Sequence, residues 1–192
     1  MNTPINILGI AGSLRAGSFN RAALVAAQSL VPDGARLEIF DLKGIPPFNQ
    51  DEDQRPPAIV SELKARIRAA DAILFATPEY NYSIPGVLKN AIDWASRPYG
   101  DNAWDGKPAA IMGASVGAIG TARAQYHLRQ ICVFLNLHVL NRPEVMISKA
   151  PRGFDDHGVL TDESTQQHIR KLLQALVDWT IRLKPHQPDI AR

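Results

Sequence analysis

The stretch GIAGSLRAGSFNRAAL, residues 9–24, places Gly12, Ser13, Arg15, Gly17, Ser18 and Asn20 between two apolar segments. On its N-terminal side Ile5 to Ile10 is short, branched and apolar, the pattern of a strand buried on both faces. On its C-terminal side Phe19, Ala22, Ala23, Ala26 and Leu30 recur at helical spacing until VPDG ends the segment. The connection reads as a strand, a tight turn and a helix start whose free N–H groups point outward. Gly12 and Gly17 have P-loop spacing, but Ser18 and Phe19 stand where that motif needs Lys and then Ser or Thr. Gly9 and Gly12 are three apart where a dinucleotide fingerprint requires two, so that motif fails as well. Two hydroxyls, one guanidinium, an amide and a helix N-terminus suit a terminal phosphate monoester, and a plain strand-to-helix turn capped by Ser18 is the alternative.

The same alternation continues along the chain. ARLEIFDL, from Ala35, predicts a second strand, and the proline-rich, acidic stretch from Lys43 to Pro57 a long surface loop of the kind that serves binding sites. Pro56 and Pro57 open a helix with Ile59, Leu63, Ile67 and Ala70 on one face. AILFAT is a third buried strand ending at Pro78; Val87, Leu88, Ala91, Ile92 and Ala95 form the next helical face. PAAIMGAS is a fourth strand, and a helix from Ala122 to Phe134 leads to a fifth extended run from Leu137 to Ile147. Ile169, Leu172, Leu173, Leu176, Val177 and Thr180 mark a last amphipathic helix, started by Thr161, Asp162 and Glu163. Five strands alternating with five helices predict a parallel sheet covered on both faces, with ligands beyond the carboxyl ends of its strands.

Composition narrows the function. The 192 residues fit one domain, residues 1–192, and 21 basic against 19 acidic side chains form no stripe that would follow a nucleic acid backbone. One cysteine, Cys132, leaves no internal disulfide and fits a reducing compartment. MNTPINILGI has neither the basic flank nor the apolar core of a signal peptide, so a cytoplasmic location and no membrane association are expected. His127, His138, His157, His168 and His186 show no metal-ligand spacing, and no metal is expected. Cys132 lies in an apolar helical stretch, a packing position and not a nucleophilic one.

Two more loops follow buried strands. In TPEYNYSIPGVLKNAIDW, Pro78 and Pro85 stiffen the backbone and present Glu79, Tyr80 and Asn81 on a rigid turn above the sheet. A planar heterocycle could rest there, hydrogen-bonded along its edge by peptide groups and the Asn81 amide. Read singly, Tyr80 and Tyr82 are more often packing residues, and Glu79 could be a solvated surface acid. The small residues of GASVGAIGTARAQ let a backbone come close to a bound ring.

Taken together, GSLRAGSFN, PEYNYSIPGVLKNAIDW and GASVGAIGTARAQ closely resemble the NADPH-dependent FMN reductase family, from Ile5 to about Ile181 and in the family's order. The resemblance implies a flavodoxin-like three-layer sandwich with strand order 2-1-3-4-5, non-covalent FMN, and NADPH or NADH as co-substrate. It assigns Ser13, Arg15, Ser18 and Asn20 to the flavin phosphate, Pro78, Glu79, Tyr80 and Asn81 to the ring border, and Ser115, Gly117 and Gly120 to the third loop. It implies hydride transfer through the flavin to a small acceptor such as a quinone, azo dye, chromate or free flavin, in ping-pong order and with no catalytic acid or base. A flavodoxin-type electron carrier with no substrate of its own, and a phosphate- or nucleotide-binding module, stay open as alternatives. The family's usual assembly and the apolar residues around the Ala122 to Phe134 helix together imply a homodimer or homotetramer. Tyr126 and Trp94 are the expected interface residues, with Tyr126 and Cys132 expected on one side of that helix.

Overall fold

The alternation is built in space as a three-layer α/β sandwich in the computed structural model, which describes residues 3–184. In chain order the elements are β1 (Ile5–Ala11), α1 (Phe19–Ser29), β2 (Ala35–Phe40), α2 (Ala58–Ala69), β3 (Ala72–Ala76) and α3 (Gly86–Ala95). They continue as β4 (Pro108–Ala114), α4 (Ala122–Phe134), β5 (His138–Val139), β6 (Val145–Ile147) and α5 (Glu163–Leu183). The strands are parallel in the order β2-β1-β3-β4-β5, the flavodoxin-like order.

Period-two alternation in the central strands makes two cores. Ala72, Leu74 and Ala76 of β3 face one side with Ala110 and Met112 of β4, against α1 and α5. Ile73 and Phe75 face the other side with Ala109 and Ile111, against α2, α3 and α4. Both faces of β1, β3 and β4 are thus dry, which is why those strands read as unbroken apolar runs. Burying side chains such as Leu74 and Phe75 contributes about 1.5–3 kcal/mol each. On α5 the apolar stripe from Ile169 to Thr180 is buried as its spacing requires, and Asp162 caps the first turn by accepting from Thr165 N–H at 2.7 Å.

Three details depart from the sequence reading. The fifth extended run is two short strands: β5 pairs with Pro108 and Ala109, and β6 pairs with Met112 to Ala114. Pro143 lies in the excursion between them, where a residue without an N–H cannot carry the ladder. Trp94 is only 1 % exposed, because the Lys43–Pro57 loop folds over α3 and covers it. Its indole N–H donates to Pro46 O at 2.8 Å and Phe48 packs edge-on against its ring at 5.1 Å, so Trp94 is unavailable to a neighbouring chain. On α4, Cys132 and Leu128 face the core while Tyr126, Val133 and Phe134 are exposed; Tyr126 and Cys132 lie on different sides.

Burial pushes the Cys132 thiol up to about 12, so it carries no thiolate at ordinary pH. Native protein is expected to resist alkylation at mildly alkaline pH and to label only after unfolding. Fast stoichiometric labelling of folded protein would contradict this packing.

Candidate functional site

Three loops meet at the carboxyl ends of β1, β3 and β4. Gly12 N–H donates to Ala76 O at 2.9 Å, and a Cβ on Gly12 would lie 3.0 Å from Pro85 and 3.2 Å from Pro78. Thr77 N–H donates to Met112 O at 3.0 Å, joining the second loop to β4. The Asn20 amide closes the set: it donates to Ala114 O at 2.9 Å and accepts from Ala114 N–H at 2.8 Å. Asn20 is thereby a stitch between α1 and β4, buried and fixed in orientation.

The first loop is an anion cradle in its hydrogen-bonding pattern. Ser18 caps α1 by accepting from Arg21 N–H at 3.3 Å, and Ser18 N–H donates to Arg15 O at 3.1 Å to close the turn. Ser13 Oγ accepts from Arg15 N–H at 3.4 Å. Among the described residues, the N–H groups of Ser13, Leu14, Ala16 and Gly17 have no acceptor. The first N–H groups of α1 lie beside them without helical partners. Arg15 is exposed and folds back onto the turn, donating to Gly17 O at 2.7 Å. Among the described residues its side chain has that one hydrogen-bond acceptor and lies 6.0 Å from the Phe19 ring, so an anion above the turn can draw it away.

The second loop is a tight two-residue turn. Tyr80 and Ser83 exchange both N–H···O bonds at 3.0 Å, and the residues between them, Asn81 and Tyr82, have φ of 50° and 69°. This is type I′ geometry, normally the territory of Gly and Asn, so Tyr82 sits in a backbone conformation that needs support. The Arg123 guanidinium provides it from 3.7 Å above the Tyr82 ring. Glu79 holds Arg123 in turn through an ion pair, and Glu79 Oε2 accepts from the N–H groups of Arg123 at 3.1 Å and Ala124 at 3.3 Å. With its side chain 7 % exposed, Glu79 is no solvated acid; it caps α4, whose Thr121 provides no side-chain cap. Pro78 packs towards Gly12 and its carbonyl accepts from Thr77 Oγ1, while Tyr80 projects half-exposed beside the turn.

In the third loop Ser115 Oγ accepts from Gly117 N–H at 3.1 Å, and Lys149 and Ala150 donate backbone N–H groups to Gly117 O and Ser115 O. Gly120 has φ of 66°, and a Cβ there would lie 3.0 Å from Met146. Leu14, Tyr80, Val116 and Ile119 stand exposed on the three loops, an apolar rim around backbone donors. The structure thus gathers the predicted site residues onto three adjoining loops and, for Asn20, the first turn of α1. It adds Arg123, and it adds His127, whose Nδ1 lies 3.0 Å from Ser83 Oγ. Neither carried a signal, since the contacts span more than 40 positions. His138, His157 and His168 are exposed at the surface; His186 lies outside the described residues.

The model of the NADPH-dependent FMN reductase family matches residues 5–152. This chain belongs to that family. The reductase is 58 % identical over 186 residues to an NAD(P)H-dependent FMN reductase of Pseudomonas aeruginosa, covering 96 % of this chain and 100 % of the relative. It is 43 % identical over 175 residues to a 2-hydroxy-1,4-benzoquinone reductase of Burkholderia, covering 91 % and 96 %. The flavoenzyme NAD(P)H:(acceptor) oxidoreductase FerB of Paracoccus denitrificans superposes with a TM-score of 0.85 at 38 % identity, over 93 % of this chain and 98 % of FerB. The reductase is an oxidoreductase of NAD(P)H and FMN. Its first loop suits that cofactor: unpaired N–H groups, a helix N-terminus and one displaceable guanidinium are what a phosphate dianion requires.

Proposed function

We propose that the chain is a single flavodoxin-like domain, residues 1–192, that passes reducing equivalents from NADPH or NADH to a small quinone. The observation that carries this is the set of N–H groups at Ser13, Leu14, Ala16 and Gly17, unpaired among the described residues and set beside a rigid turn and an apolar rim. The Ser13 and Ser18 hydroxyls, the turn N–H groups and Arg15 hold the phosphate, with Asn20 fixing the turn against β4. The 78–81 segment borders the ring, where the Asn81 amide and turn peptides meet its edge. The Ser115, Gly117 and Gly120 backbone closes the other side. Bound FMN supplies hydride acceptance and donation; the protein supplies position, exclusion of water and charge. No side chain is required to move a proton. With one open face over the loops, NAD(P)H and the acceptor bind in turn, giving ping-pong kinetics. Azo dyes, chromate and free flavin fit the same open rim as further acceptors. The quinone reading is supported by what the Burkholderia relative acts on.

Purified protein is expected to be yellow and to release FMN on denaturation; a colourless protein that does not bind added FMN would overturn the reading. Arg15→Ala is expected to weaken FMN by about 1.5 kcal/mol, roughly tenfold in Kd, the lower end for a hydrogen bond to a charged group because the guanidinium is exposed. Unchanged affinity in a titration of apoprotein would remove Arg15 from the phosphate site.

No described helix is long and apolar enough to cross a membrane, and a cytoplasmic location is part of this proposal. Assembly as a homodimer or homotetramer is also proposed, through the exposed Tyr126, Val133 and Phe134 of α4. Light scattering is expected to return a multiple of the monomer mass, and Tyr126→Asp to lower it. A monomer at micromolar concentration would contradict the assembly.

A further inference from the structure

Tyr82 holds the second inner position of the 80–83 turn, where its φ of 69° suits glycine, and it is nonetheless 67 % exposed. A ring that served only to pack would be turned inwards; this one is held outwards. Arg123 lies against one face of it at 3.7 Å, and Glu79 fixes Arg123 through their ion pair. One helical turn further along α4, His127 Nδ1 meets Ser83 Oγ at 3.0 Å, so α4 grips two consecutive residues of the turn. The strained backbone and the ring are thus set in place before any ligand arrives. With one face beneath the guanidinium, the exposed surface of the ring is its other face and its edge.

We propose that the open face of Tyr82 is the platform on which the flat ring of a quinone acceptor stacks, which makes Tyr82 a specificity-determining residue; the inference rests on the quinone reading above. Strain is the first argument. A bulky residue in the left-handed region persists only where its surroundings enforce it, and such residues gather at ligand clamps. Place is the second: Tyr82 directly follows Asn81, assigned to the edge of the flavin ring, and Val116 and Ile119 of the third loop stand exposed on the same rim. Charge is the third. Glu79 offsets Arg123 behind the ring, so the platform suits a neutral planar molecule better than an oxyanion. Aromatic pairs favour offset stacking, so an acceptor without a ring gains nothing from Tyr82.

Tyr82→Gly tests the platform, because glycine takes this conformation without support and Arg123 keeps its pair with Glu79. The variant is expected to keep the wild-type unfolding midpoint and FMN affinity. Calorimetric titration of 1,4-naphthoquinone into the oxidised, FMN-loaded protein is expected to give a Kd roughly tenfold higher than in wild type, the upper end for an aromatic pair. In turnover the KM for this quinone should rise by the same factor with kcat little changed. The ratio of kcat/KM for the quinone to that for ferricyanide, which has no ring to stack, should fall about tenfold. Tyr82→Phe keeps the ring and should return all three values to near wild type. An unchanged quinone Kd in Tyr82→Gly, or a Tyr82→Phe protein as impaired as Tyr82→Gly, would overturn the platform and leave the quinone reading standing. A lowered midpoint or weakened FMN in Tyr82→Gly would make Tyr82 a strut of the turn and overturn the platform as well. Wild-type protein that holds FMN yet neither binds nor reduces the quinone would overturn both readings.

Discussion

Gly113→Ala is expected to cost about 3 kcal/mol or more of folding stability, the largest effect of any single methyl group placed near the site. The position is in β4, and the added Cβ would lie 1.9 Å from Thr121 Oγ1, 2.4 Å from Thr77 O and 2.9 Å from Thr121 Cβ. Thr77 O is backbone at the end of β3, and both threonines are fully buried, so neither neighbour can swing aside. Relief requires β4 to move from β3 or the third loop to lift. Either change disturbs the junction where all three loops meet. Gly17→Ala provides the control, because its Cβ would meet nothing and its φ is not in the left-handed region. Denaturant unfolding should show a large drop in midpoint for Gly113→Ala and little change for Gly17→Ala. A wild-type midpoint for Gly113→Ala would show that the packing around Thr121 is looser than described.

Glu79→Ala is the second large effect. Its carboxylate, nearly buried, accepts two backbone N–H groups at the start of α4 and pairs with Arg123. Truncation leaves those N–H groups without a side-chain cap and the Arg123 guanidinium without its counter-charge. Arg123 is 37 % exposed and can turn to water, so the expected loss is about 2–3 kcal/mol, less than for a fully buried pair. A buried Arg123 Nε already lacks a partner, which makes the remaining interactions of that side chain harder to replace. Function should suffer as well as stability, because Arg123 is what rests on Tyr82 and Tyr82 holds the turn in its left-handed conformation. Glu79→Gln keeps the shape and loses the charge, and should fall between the two. Equal unfolding midpoints for wild type and Glu79→Ala, with equal flavin affinity, would remove Glu79 from both roles.

Legibility in the sequence followed burial. β1, β3 and β4 could be read because both faces are dry, and α5 because its single stripe faces α1 and the sheet. The turn at Ser13 to Asn20 could be read because its chemistry is local: glycines, hydroxyls and a helix start within nine residues. What could not be read depends on partners far along the chain. Trp94 was expected at an interface because nothing near it announces that Pro46, 48 positions earlier, accepts its indole N–H. Glu79 had the composition of a surface acid, and only α4 packing against the second loop makes it a cap. Asn20 was expected at a phosphate, and its amide is instead seen joined to Ala114, 94 positions away. The split between β5 and β6 did leave a mark, Pro143, but a lone proline in an apolar run gives no length for the excursion.

Oxidation of NADPH by the FMN-loaded protein with 1,4-benzoquinone as sole acceptor, measured beside the same protein stripped of FMN, bears most directly on this reading of the chain. The expected result is saturable turnover in the loaded protein, loss on stripping, recovery on adding FMN, and parallel double-reciprocal lines when the quinone is varied at fixed NADPH levels. Full occupancy by FMN with no quinone-dependent oxidation, or the same rate with FMN removed, would contradict it.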